Sequence, residues 1–246
     1  MHPTIRPTPI SLLAVLLLVC PFITACSTTN PPRLGNNSPI VSEFKLSNFA
    51  KSEIDRIAEI HQQETLGHLR VLMEKLYRRN PREWKKAGNL SLDSAVARVF
   101  DVQHDWSFPE LNGKRGIDSL YLTFQENYQN DRVLAFISGL ATMVLASYND
   151  KTDLFILDDL DPQKLYNSAR NVEIAVWKLG NTRDSKGELF LLSNDADGPV
   201  RNLSFEREFG KMIAEQDIMA RIVAERNNRS IVRVVQSLAT AVFLPI

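Results

Sequence analysis

From Phe44 onward, apolar residues recur at the three-and-four spacing of an α-helix. Ile54, Ile57, Ala58, His61, Thr65, Leu69, Leu72 and Leu76 fall on one stripe, which predicts a long helix ending at Asn80-Pro81. Pro81 suits the first turn of a short helix running to Gly88, because the N–H it lacks is one that a helix start leaves unpaired. Ser91 can cap the next helix, with Ala95, Val96, Val99 and Phe100 inward. Ile117, Leu120, Tyr121, Phe124 and Tyr128 predict a fourth. Val133–Tyr148 is apolar on every side and carries no charge, the pattern of a central buried helix. It is short against the ~20 residues of a membrane span, although membrane insertion remains a competing reading. Asp161-Pro162 opens a helix with Leu165, Ala169, Val172, Val176 and Leu179 inward, and Gly180 closes it.

Between Gly187 and Phe205 the pattern changes. Glu188–Leu192 and Val200–Phe205 flank Asn194-Asp195-Ala196-Asp197-Gly198, which predicts a β-hairpin. Phe205–Arg226 returns to helix, Asn227-Asn228 breaks it, and Ile231–Phe243 predicts an apolar terminal helix. The expected fold is therefore mainly α: one multi-helix, bundle-like domain over residues 44–246 with a small β-hairpin near 188–205.

The first 25 residues stand apart from this domain. Arg6 with no acidic residue, then the apolar run Leu12–Cys20, form the n- and h-regions of a secretory signal. Ile23-Thr24-Ala25-Cys26 follows, and this segment resembles the lipobox of bacterial lipoproteins. The resemblance covers residues 1–26 alone. It implies cleavage between Ala25 and Cys26, diacylglycerol on the Cys26 thiol and an acyl chain on the new amine. An ordinary cleaved signal, leaving Cys26 as a free thiol, is the alternative. Thioether formation needs a thiolate nucleophile. The chain has two cysteines, and Cys20 lies in the leader, so the domain itself can hold no disulfide. One acyl chain binds a bilayer marginally, whereas two or three hold durably. Ser27 in place of aspartate implies, by the same resemblance, sorting to the periplasm-facing leaflet of an outer membrane, or to the plasma membrane of a Gram-positive cell. Residues 26–43, rich in Pro, Asn and Ser, read as the lipidated cysteine and a flexible tether with a span of about 20 Å.

Lys+Arg and Asp+Glu balance at 29 each, which argues against a nucleic-acid partner. His61, Glu64 and His68 lie within two turns of the first helix, as imidazoles and a carboxylate that bind zinc or iron or relay protons. His104, beside Asp101 and Asp105, can complete such a site if the fold brings it near. Hydrogen-bonded core histidines are the plainer alternative. Asp195-Ala196-Asp197-Gly198 has part of a calcium-loop pattern, but the bidentate glutamate position falls on Ser204. Ser42-Glu43-Phe44-Lys45 matches S-x-x-K, yet Lys151-Thr152-Asp153 lacks the glycine of its companion motif.

Arg78, Arg79, Arg82, Lys85 and Lys86 surround Trp84, which suits anionic headgroups or an acidic envelope partner. Asp150, Asp153, Asp158, Asp159 and Asp161 form an acidic counterpart, and Arg226, Arg229 and Arg233 a further basic group. Solvated faces explain such runs equally well. The function expected from these features is binding or scaffolding by a membrane-anchored domain, more adaptor than enzyme, with no cofactor beyond the acyl chains on Cys26. A metal-dependent enzyme using His61, Glu64 and His68, and a membrane-active protein inserting its apolar helices, are the alternatives.

Overall fold

The computed structural model describes residues 51–155, 158–195, 202–233 and 241–246. The leader, Cys26, the tether and Ser42 lie outside the described residues. Seven α-helices and one 3-10 turn, Pro109–Leu111, are present among the described residues. No strand is present there.

Helix α1, Glu53–Arg79, starts where a cap dictates: Ser52 Oγ accepts the Asp55 N–H and the Asp55 carboxylate accepts the Ser52 N–H. It ends at Asn80, ahead of Pro81. Helix α2, Pro81–Lys86, is one proline-led turn and a half. Ser91 and Ser94 form a reciprocal cap on α3, Leu92–Phe100. Helix α4 is Gly116–Thr123, shorter than the apolar pattern to Tyr128 suggests. The guanidinium of Arg132 stops it, donating to the carbonyls of Thr123 (2.7 Å), Gln125 (2.9 Å) and Tyr128 (2.7 Å) that a longer helix would use internally.

Helix α5, Arg132–Ser147, is the centre of the core: Val133, Ala135, Phe136, Ile137, Leu140, Ala141 and Val144 are all at 0% exposure. Each such large side chain contributes about 1.5–3 kcal/mol by leaving water. Helix α4 crosses α5 at Gly139, where a β-carbon would lie 2.8 Å from Leu120 Cγ and 2.9 Å from Leu120 N. Among the described residues no helix is long and apolar enough to cross a membrane. Helix α6, Pro162–Asn181, is capped by the Asp161 carboxylate and continues through Gly180 to Asn181. Helix α7, Ser204–Asn227, closes with Asn228 in the left-handed region at φ 50°. It packs against both α1 and α6.

Two expectations need correction. The hairpin near 188–205 is not supported: the described residues contain only isolated bridges, Arg183 with Leu189 and Asp195 with Asn202, while residues 196–201 lie outside the described set. Asn80 occupies the position a second strand would take, its amide donating to Leu192 O (2.9 Å) and accepting from Leu192 N (2.8 Å). The terminal helix is also absent from the described parts of 231–243, since 231–233 and 241–243 are irregular and 234–240 fall outside. Side-chain amides on α6 again satisfy the backbone there. Gln163 pairs with both backbone groups of Val232 (2.8 and 3.2 Å), and Asn171 with both of Leu244 (2.6 and 2.8 Å).

Candidate functional site

The histidines of α1 are brought to α7, not to each other. His61 Nδ1 pairs with Glu215, and His68 Nδ1 with Glu208 at 3.0 Å. Both partners step by seven residues, so the pairs repeat every two turns along an antiparallel seam. Asp55 pairs with Arg226 at 3.2 Å farther along the same helices, and Lys75 with Ser204 at the other end. Glu64, which a metal site on α1 would need, is exposed and stands apart.

His104 Nε2 donates to Val99 O at 2.7 Å while its Nδ1 accepts the Trp106 N–H at 2.9 Å, leaving no free ring nitrogen. Among the described residues no group of three His, Cys, Asp or Glu is close enough to hold a metal ion. His61, Glu64, His68 and His104 therefore occupy a helix seam, a solvated face and a loop.

The basic cluster around Trp84 is partly consumed by structure. Lys86 binds both oxygens of Glu83 (2.7 and 2.8 Å), Glu83 accepts the Arg132 N–H at the start of α5 (2.7 Å), and Arg78 pairs with Glu74 at 3.2 Å. Arg79 lies 4.0 Å from Asp195. Trp84 packs on the core, with the Lys85 ammonium 5.3 Å from its ring centre, and Arg82 is exposed. The acidic cluster serves other cations: Asp150 takes Arg115 (3.1 Å), Asp153 takes Lys51 (3.2 Å), Asp158 takes Lys151, and Asp159 takes Arg229 (2.8 Å). The hydrogen bond from Lys151, helped by the Phe155 N–H, holds the Asp158 carboxyl below the usual carboxylate range, against a small opposing effect of desolvation.

Two large clefts lie elsewhere, along α6 and α7. One cleft of about 700 Å³ is lined by Ile174, Val176, Trp177, Gly210 and Ile213, with Glu173 and Glu206 on its rim. The second, about 610 Å³, is lined by Tyr166, Arg221, Ile231 and Arg233 among others. Arg170 belongs to both. Its guanidinium bonds Asp217 at 2.7 Å, lies 3.2 Å from Glu173, and covers the Tyr166 ring at 5.0 Å. Burial raises the Glu173 pKa, with Arg170 opposing and Asp217 reinforcing the shift.

Comparison with protein families, curated proteins and solved structures finds no match to this chain.

The buried stripe of α6 (Leu165, Ala169, Val172, Leu179) was legible in the sequence, but Val176, expected inward, is only partly buried and lines a cleft. The signal of the clefts was present: Tyr166 and Trp177 are aromatic residues on the polar side of that stripe, beside Arg170 and Glu173. What sequence could not supply was α7 as the opposite wall.

Proposed function

We propose that this protein is a lipid-anchored binding module of the cell envelope that docks a partner protein in the clefts between α6 and α7. The leader is removed before Cys26, acyl chains on Cys26 hold the protein at the periplasm-facing leaflet of the outer membrane, and residues 27–43 give the domain reach. The observation that carries the docking part is the aromatic and aliphatic lining of the α6/α7 face: Trp177, Val176 and Ile213 are only partly covered by the rest of the fold. A half-buried tryptophan with aliphatic neighbours and a charged rim is the composition of a protein-contact site. The pairing of His61 and His68 with glutamates favours a seam role over metal chemistry.

The test is site-specific photocrosslinking in cells. A benzophenone side chain at Asn181, at the open end of the face, is expected to give one discrete adduct that Ile213→Arg abolishes. The same probe at Arg82 is expected to give none. Equal adducts from both positions, or an Asn181 adduct indifferent to Ile213→Arg, would overturn the assignment.

A further inference from the structure

The two clefts form one trough. Tyr166, Arg170, Glu173, Trp177 and Asn181 advance by three or four residues and so share one face of α6. Glu206, Gly210, Ile213, Asp217 and Arg221 do the same on α7. The helices run antiparallel, with Trp177 opposite Gly210 and Ile213 in one cleft and Tyr166 opposite Arg221 in the other. From Tyr166 to Asn181 the trough extends about 22 Å, at 1.5 Å per residue. The Arg170–Asp217 ion pair, 2.7 Å, crosses its floor where the two clefts meet.

Those dimensions fit an amphipathic helix of about four turns, whose anchors fall at i, i+3 or i+4, and i+7. Gly210 leaves room for it: a β-carbon added there would meet nothing within 4 Å. The charge is polarised along the trough. Glu206 stands at one end and Arg221 and Arg233 at the other, where Glu225 is the opposing charge, while Glu173, midway along the trough, is held by Arg170 at 3.2 Å. The clamp of Gln163 on Val232 fixes the backbone beside Arg233. Among the described residues neither Arg221 nor Arg233 has an ion-pair partner.

We infer that the trough binds an amphipathic α-helix of a partner protein, apolar stripe down, with basic side chains over Glu206 at one end and acidic ones over Arg221 and Arg233 at the other. This rests on the docking function proposed above and specifies its occupant.

Three labelled peptides of about 16 residues test it, that length matching the trough. All carry leucine at every third or fourth position. One has lysines at one end and glutamates at the other, one is uniformly lysine-rich, and one uniformly glutamate-rich. Each is titrated against the full chain in lipid discs, with protein-free discs as the blank. The mixed-charge peptide is expected to bind about fivefold more tightly than either uniform one, the scale of two exposed ion pairs. Arg221→Glu with Arg233→Glu makes both ends acidic and shifts the preference to the lysine-rich peptide. Gly210→Leu, at a site with room for the side chain, fills the trough and removes binding of all three with an unchanged circular dichroism spectrum. No binding above the blank, or an order of affinities unmoved by the charge reversal, overturns the inference. An Asn181 adduct in cells together with failed peptides sinks the helical occupant alone. Peptide binding without any adduct sinks the docking proposal in cells and leaves the helix-binding trough standing.

Discussion

Asp131 is a carboxylate placed where carboxylates are costly. It is 1% exposed, accepts the Leu134 N–H as the cap of α5 (3.0 Å) and accepts the Tyr77 hydroxyl (2.8 Å). Burial pushes its pKa up to about 6, although both hydrogen bonds pull the other way, and nearby Glu83 adds to the rise. A raised folded-state value means that the folded protein holds this proton more tightly than the unfolded chain. The stabilisation is full below about pH 4 and is lost as pH rises through about 6. The difference is on the order of 3 kcal/mol. Asparagine caps as well as aspartate and cannot ionise. Asp131→Asn is therefore expected to remove this component, flattening the fall in melting temperature between pH 4 and 7 relative to the parent. Parallel curves for the two proteins would refute it. The same scale shows what sequence conceals: His61 and His68 were visible as a stripe, but their glutamates lie on α7, 154 and 140 residues away.

Helix ends were the most legible elements because their causes are local. Ser91 and Asp161 cap the helices that begin after them, and Pro81 and Pro162 open theirs, as their sequence positions indicate; the Ser52 cap of α1 emerges only in the structure. The end of α4 was not legible, since the arginine that takes its carbonyls follows the helix by nine residues and acts through space. Glycine separates two kinds of helix surface here. At Gly139 an added methyl group meets the Leu120 side chain and backbone below 3.0 Å, so Gly139→Ala is expected to destabilise by about 1–3 kcal/mol through overpacking. At Gly210 the space is open and the residue is mid-helix, so Gly210→Ala is expected to stabilise by about 0.5–1 kcal/mol. Urea denaturation of the pair checks both: a Gly139→Ala protein as stable as the parent would contradict the α4–α5 crossing, and a destabilised Gly210→Ala protein would contradict the open site on α7.

For the whole molecule, the proposed division into leader, tether and helical body rests on composition and a short motif, while the trough required knowing which helices become neighbours. Periodicity gave each helix its inward stripe; it carries no information on pairing between α6 and α7. The proposed anchor makes its own prediction. Cys26→Ser is expected to shift the protein from the membrane fraction and to abolish labelled palmitate incorporation, since on this proposal the acyl chains supply the durable attachment. Retention of both properties by the variant would remove the lipid from the proposed function.

Three carboxamides, Asn80, Gln163 and Asn171, each grip one distant residue through its N–H and its carbonyl together. That grip needs a group that both donates and accepts. Deamidation replaces the donor with a second acceptor, which then confronts a carbonyl oxygen, so that change would act directly on the attachments of the irregular segments. Succinimide formation at asparagine uses the backbone N–H of the next residue, and Pro81 has none. The Asn80 grip is thereby immune to that route, and Asn171, at 0% exposure in the middle of α6, is shielded from it because the Val172 N–H is held in the helix.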